Sequence, residues 1–401
     1  MKQKTINNRT MQKSNMSLVL KTILDSSGIS RKALAEETGL TPSTVTNIAN
    51  RLLEEGYILE TGAGESDVGR KPIILEINRD KAYIVGVELS ADQIIGVITG
   101  FGGEIRFTAV QKRDQSAGAQ ATLGELCGLV CRLMETAGAD REHVLGVGVM
   151  SAGPYEREQG VMVNSPNFGW KGRVPVRDFV RETLGVPAYF DRDSVGCAMA
   201  ETDSARCREY PVIFAVMVNT IGIGGGLMID GEVFYGTDNA AAEIGHLTVE
   251  PGGPNCNCGD AGCLEAVSSG NGILSEIGRR IAQGEKSVLA GIPDLTVEDV
   301  VRAYRQGDAL CVRTVAHAAD CLVMAIDNVI KTVSPGCVVL GGSFMALLPE
   351  YFELVASRAG QRVYEPVFKP TPILPFSYGE VQSAMGGVRL VQKAFFEALN
   401  N

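Results

Sequence analysis

Long apolar runs are missing from this chain. No stretch of its 401 residues approaches the roughly eighteen consecutive apolar positions of a bilayer-spanning helix, so no membrane insertion is expected. Residues 1–15 are polar, with scattered lysines and no apolar core. They do not read as a secretory signal, and an arm or a fraying end is expected there. A large basic excess is absent too. The formal net charge is −10, which excludes a protein that coats nucleic acid over its whole surface. Histidine occurs three times and tryptophan once, as Trp170. The ten cysteines show no pairing pattern, which points away from an oxidised scaffold and towards a cytoplasmic setting.

What remains is an ordinary globular composition, 45% hydrophobic and 21% charged, long enough for two or three domains. Charge is unevenly spread. Residues 1–79 carry eleven Lys/Arg against nine Asp/Glu, about +2, which leaves about −12 for the remainder. A slightly basic head on an acidic body predicts a DNA-binding module joined to something else.

The head carries local helix signals. Ser17 is expected to cap a helix bearing Leu18, Leu20, Ile23 and Leu24, with Gly28 at its end. Ser30 caps a second, short helix, with Leu34 and Ala35 inward and Gly39 as its stop. Thr41 caps a third, with Pro42 at its first position and Val45, Ile48, Ala49, Leu52 and Leu53 at helical spacing before Gly56. Two helices joined across Gly39-Leu40-Thr41 make a helix-turn-helix. Thr41, Ser43, Thr44, Thr46, Asn47 and Arg51 fall at the front or on the polar face of the third helix, suited to base edges and phosphates. Runs at 57–60 and 72–77 read as a β-hairpin wing whose tip carries Arg70 and Lys71. The alternative is a three-helix packing module that touches no nucleic acid.

From about residue 83 the texture is that of α/β layers. Glycine-punctuated, β-branched runs at 84–89, 94–98, 144–150, 212–218 and 337–342 read as strands, and 122–137 and the final residues as helices.

The most unusual segment is Glu243-Ile244-Gly245-His246, followed ten residues later by Cys256-Asn257-Cys258-Gly259-Asp260-Ala261-Gly262-Cys263-Leu264-Glu265. His246, Cys256, Cys258 and Cys263 form a Cys3His set, the donor set of a closed, structural zinc site. Gly259 and Gly262 allow the chain to wrap around one ion. The alternatives are disulfides or chance clustering, but a Cys256–Cys258 bridge across one residue is sterically poor. His143 and His317 read as structural, and the other seven cysteines show no ligand spacing.

Glu-x-Gly-His followed by Cys-x-Cys-Gly-x-x-Gly-Cys-Leu-Glu resembles the signature of the ROK family of repressors, open reading frames and kinases. The resemblance implies a winged helix-turn-helix (1–79) followed by a two-lobed actin-like ATPase, or ROK sugar kinase, fold. Its first lobe would span 80–190 with the C-terminal helix 383–401, and its second 191–382 with the zinc site. The kinases carry Asp-x-Gly-Gly-Thr-Lys at their first phosphate turn. The matching residues here are Glu88-Leu89-Ser90-Ala91-Asp92-Gln93, without either glycine, with a negative charge for the threonine and a neutral amide for the lysine. At an effective dielectric near 20, an anion about 4 Å from a phosphate costs on the order of 4 kcal/mol. The second turn, Thr220-Ile221-Gly222-Ile223-Gly224-Gly225-Gly226, keeps its glycines but has Ile221 in place of a hydroxyl.

The resemblance preserves more of the sugar side. Asp193 matches the aspartate that serves as base in the kinases, here a relic with no catalytic role expected. Arg192 replaces an asparagine, and could read an acidic sugar or pair with Asp191. Asn167 lies in a loop similar to the one that closes over the sugar, while Glu243, His246 and Glu265 match sugar contacts. The expectation is therefore a regulator, not an enzyme. It would bind double-stranded operator DNA as a homodimer or tetramer, with a small-molecule sugar or a sugar-transporter protein as its controlling partner. An active kinase with a fused DNA-binding domain is the alternative.

Overall fold

A helix begins where its apolar stripe begins, and in the head that is earlier than Ser17. The computed structural model of the chain describes residues 8–63, 72–202, 204–360 and 369–400. The first helix is Asn8–Asp25, so residues 8–15 are helical and not an arm. Met16, Val19, Leu20 and Ile23 are buried along one stripe at i, i+3, i+4 and i+7. Ser17 is buried inside this helix and caps nothing. The next two helices follow their caps. Ser30 accepts from the Ala33 N–H at 3.2 Å to start Arg31–Thr38. Thr41 accepts from the Thr44 N–H at 3.2 Å to start Pro42–Glu54. Gly39 between them has φ +68°, a left-handed turn that favours glycine.

The wing has three strands rather than two. Ile29–Ser30 pairs antiparallel with Ile73–Ile77, which pairs in turn with Ile58–Ala63. A two-residue strand has no periodicity to announce it. The expected wing tip, Arg70 and Lys71, lies outside the described residues.

The body contains two sheets of one topology. The first runs in the order Ala188–Arg192, Val144–Ser151, Tyr83–Leu89, Gln93–Gly100, Ile105–Lys112. The second, read from Ile373–Pro375, continues through Cys337–Gly341, Val212–Val218 and Ile223–Ile229 to Glu232–Val233. In both, the first three strands are parallel and the last two are antiparallel additions. The first sheet takes residues 188–192, so its last strand runs two residues beyond the expected lobe boundary at 190. The helix Ala309–Val333 packs inside the second lobe. By length and composition it could span a bilayer, with a window of mean hydropathy 1.6. Here 61% of that window is buried, and Leu310, Val315, Leu322 and Ile326 form part of the second lobe's core.

The C-terminal helix, Gln382–Asn400, joins these parts. At its start it lies directly on backbone. A Cβ on Gly86 would sit 1.9 Å from the Ala384 carbonyl oxygen, and one on Gly148 would sit 2.1 Å from that of Gly387. Its last turns reach the head, where Phe395, Phe396 and Leu399 pack against the helix-turn-helix core. Tyr57, Phe101 and Phe395 form an aromatic triangle with centroids 5.4–5.8 Å apart.

Gly148→Ala will force this helix off the sheet and cost about 1–3 kcal/mol or more, the usual range for overpacking. Gly124→Ala, in the helix Ala119–Ala137 with nothing near the added methyl, will be neutral or gain up to about 1 kcal/mol. Thermal unfolding of the two variants checks the contrast, and equal melting temperatures would contradict it.

Candidate functional site

The two sheets face each other across a cavity of about 1350 Å³. Glu88, Asp92 and Asn167 line it from the first lobe, and Asp193, Glu243, His246 and Glu265 line it from the second. Glu88, Asp92 and Asp193 arrive at or beside strand ends, while Glu243 and His246 sit at the 3-10 turn Ile244–His246 and Glu265 in the short helix Leu264–Ser268. Glu88 lies near the end of Tyr83–Leu89. Arg192 closes the strand Ala188–Arg192, and Asp193 opens the helix Asp193–Glu201. Strand ends are where an α/β fold opens its crevice.

Two buried carboxylates of this cleft, Glu88 and Asp193, are strongly perturbed. Burial raises Glu88 to about 8, with the charges of Asp193 and Asp92 adding to the shift. Burial likewise raises Asp193 to about 6, partly offset by hydrogen bonding to the Ser194 N–H at 2.7 Å and by the charge of Arg192. At neutral pH Glu88 is protonated and can donate, while Asp193 is largely ionised and accepts.

Arg192 does not pair with Asp191 through its guanidinium. That group binds Glu243 and donates to the Ala241 carbonyl at 3.1 Å, while its Nε is buried without a partner. From Arg192 the Asp191 carboxylate takes only the backbone N–H, at 2.8 Å. Its carboxylate is held instead by the hydroxyls of Tyr155 at 2.7 Å and Tyr235 at 2.6 Å, with Arg157 stacked 3.8 Å over the Tyr235 ring. Tyr155 comes from the first lobe and Tyr235 from the second, so Asp191 is a latch between lobes. Sequence reasoning missed it because its partners lie 36 and 44 residues away. Asn167 is exposed in the short 3-10 turn Pro166–Phe168. Trp170 is buried against Phe168, with ring centroids 4.6 Å apart, and its indole N–H has no partner.

The turn at the first phosphate position is closed on itself. The Ser90 N–H donates to the Gln93 carbonyl at 3.0 Å, and the Ser90 hydroxyl contacts Asp92 and the Gln93 carbonyl, both at 3.0 Å. The second glycine turn is pinned from behind, because Glu265 accepts from the Ile223 N–H at 3.1 Å. A Cβ on Gly222 would meet that same carboxylate at 2.7 Å.

His246, Cys256, Cys258 and Cys263 converge. Their donor atoms all lie within 4.8 Å of one another, with Cys258 Sγ 3.6 Å from Cys263 Sγ and Cys256 Sγ 3.7 Å from His246 Nδ1. The edges of a tetrahedron with Zn–S near 2.3 Å and Zn–N near 2.0 Å are about 3.5–3.8 Å. The donors therefore fit a metal ion. Backbone bonds shape the loop: the Cys256 N–H donates to Asp260, and the Gly262 N–H to Pro254. Gly259 and Gly262 adopt φ of +102° and +76°. His246 presents Nδ1 to the thiols while its ring borders the cleft.

On the head, Ser43, Thr46, Asn47 and Arg51 are exposed on the third helix. Several of the expected contacts are already engaged. Thr41 and Thr44 bond each other at the cap, Thr46 donates to the Pro42 carbonyl at 2.8 Å, and Arg51 pairs with Glu55 at 2.8 Å. Arg31, not anticipated from sequence, donates to Asn50 and Glu60 beside them.

A winged helix-turn-helix fused through its core to a duplicated α/β cleft with a Cys3His loop defines a class: a DNA-binding regulator on a sugar-kinase scaffold. Comparison with known proteins agrees. The pattern of the ROK family matches residues 84–394, and that of winged helix-turn-helix DNA-binding domains matches residues 17–58. The chain belongs to the ROK family. It is 29% identical to a xylose repressor of Caldicellulosiruptor bescii over 84% of both chains. It is 32% identical to a glucokinase of Thermotoga maritima over 57% of this chain and 69% of that one. Its fold matches that of a ROK family transcriptional regulator described as a homologue of the E. coli MLC protein, with TM-score 0.77, 24% identity and 98% of each chain covered.

The raised pKa of Glu88 has a sign that can be tested. Unfolding releases its proton between the unfolded value near 4.5 and the folded value near 8, so its contribution to stability falls as pH rises through that window. Glu88→Gln removes this penalty. The melting-temperature advantage of the variant over wild type will grow from about pH 5 to about pH 8. A difference independent of pH would contradict the assignment.

Proposed function

We propose that this chain is a cytoplasmic, sugar-responsive transcriptional regulator, acting as a repressor of sugar uptake or catabolic genes and without kinase activity. One observation carries the reading. The cleft keeps the hydroxyl-binding groups Asp193, Glu243, His246 and Glu265, while the turn that would cradle ATP phosphates is closed on itself and carries Asp92. The relatives named repressors support the regulatory role. Asn167 and Asp193 contact sugar hydroxyls from opposite lobes, so a bound sugar favours closure. Arg192 neutralises Glu243 instead of reading an acidic ligand, which favours a neutral sugar.

His246, Cys256, Cys258 and Cys263 hold structural zinc, whose role is to fix the loop and the ring of His246. The other imidazole nitrogen is then free for a sugar hydroxyl. Two heads on a two-fold axis, Ser43 and Asn47 foremost, read half-sites of an operator in successive turns of the major groove. Lobe closure changes the spacing of these heads.

Operator binding by full-length protein, followed by fluorescence anisotropy against neutral monosaccharides and amino sugars, tests this. One sugar will weaken binding by about tenfold or more, within the usual range of allosteric coupling. Asp193→Asn will keep operator affinity and lose the sugar response, while Asn47→Ala will lose about 1–3 kcal/mol of operator binding. Labelled ATP will not transfer its phosphoryl group to the effector. A sugar phosphate forming at a catalytic rate, or no sugar changing affinity more than about twofold, would overturn the reading.

A further inference from the structure

The Cys3His loop is not the only place where metal-binding side chains meet. Glu250, His317 and Cys321 bring one carboxylate oxygen, one ring nitrogen and one sulfur within 4.8 Å of each other. His317 and Cys321 are separated by one turn of the long helix Ala309–Val333 and therefore share a face. The His317 Nε2 atom contacts the Glu250 carboxylate and lies 3.8 Å from the Cys321 sulfur. His317 is 56% exposed, so it is not the core histidine that its apolar neighbours in sequence suggest. Cys321 is buried at the floor of the cluster.

Glu250 is held in place by the first metal loop. Its N–H donates to the Gly262 carbonyl at 3.1 Å, and its carbonyl accepts from the Gly253 N–H at 2.8 Å. A Cβ on Gly262 would lie 1.6 Å from the Glu250 carbonyl oxygen, so no other residue fits there without moving the turn. The backbone of Glu250 is thus fixed by a tight turn and that of the other two donors by one helix. That preorganisation distinguishes the cluster from a chance surface ion pair.

We propose that Glu250, His317 and Cys321 form a second metal site, for a borderline dication such as Zn²⁺, with a fourth position open to water. One nitrogen, one thiolate and one carboxylate suit zinc and its neighbours, and exclude Mg²⁺ and Ca²⁺, which take oxygen donors. Binding exchanges the Cys321 thiol proton, released to solvent, for a metal–sulfur bond. Without metal that thiol is held protonated, pushed up to about 11 by burial and then by the charges of Glu250 and Asp320. The ion would staple the loop of the first site to the core helix of the second lobe, at the wall bearing His246 and Glu265.

The test is metal content. Full-length protein is loaded with excess Zn²⁺, freed of loose metal by gel filtration, and measured by atomic emission. Wild type will retain about two zinc ions per chain, and His317→Ala and Cys321→Ser about one. Cys258→Ser, which removes a ligand of the first site and none of the second, will also retain about one. Circular dichroism establishes that each variant is folded, and Glu250→Gln serves in place of one that is not, with the same expected loss. A wild-type content of about one, or a content unchanged by His317→Ala and Cys321→Ser, overturns the second site. Neither result bears on sugar response.

Discussion

The contact that organises this protein is backbone against backbone. The first turns of the helix Gln382–Asn400 rest on Gly86 and Gly148 in the first sheet, and on Gly196 in the helix that begins at Asp193. No side chain fits between them. At that end, Ser383 lines the cleft along with Glu88 and Asp193. At the other end, Phe395 and Phe396 sit in the core that holds the recognition helix. A helix anchored this closely moves with what it touches, because packed interiors transmit displacement. It gives the head and the cleft a shared structural element, and no separate signalling segment is needed between them.

The chemistry of the cleft follows from burial. Glu88 and Asp193 are desolvated together, which favours one shared negative charge over two. Such a pair can accept and donate to neutral hydroxyls, and it repels phosphate. Asp92 at the first turn adds a further negative charge to the pocket, and the proposed preference for carbohydrate over nucleotide rests on that charge. The Asp191 latch to Tyr155 and Tyr235 gives the lobes a polar connection beside this pair.

Much of this was legible in the sequence where the signal was local. Ser30 and Thr41 declared their helices because a cap is decided within four residues, and the Cys3His loop declared itself through spacing and glycine. The parts that were not legible depend on distant partners. Ser17 looked like a cap because its hydroxyl precedes an apolar run, yet Met16 already belongs to the buried stripe. Arg192 looked like a ligand reader or a partner of Asp191 until Glu243, 51 residues on, claimed its guanidinium. His317 read as structural and Cys321 as without ligand spacing, because their i, i+4 pairing means little until a third donor joins it, and that donor comes from a loop 67 residues earlier. Ala309–Val333 is apolar enough to pass for a membrane span, and only the packed lobe shows it to be a core helix.

If the C-terminal helix carries the signal, weakening its grip on the head must uncouple the two ends without emptying the cleft. The decisive measurement is operator affinity of Phe395→Ala with and without the effector sugar, alongside the thermal shift that the sugar produces. The account predicts a preserved thermal shift and a ratio of affinities that falls from about tenfold towards one. A ratio equal to that of wild type would contradict it.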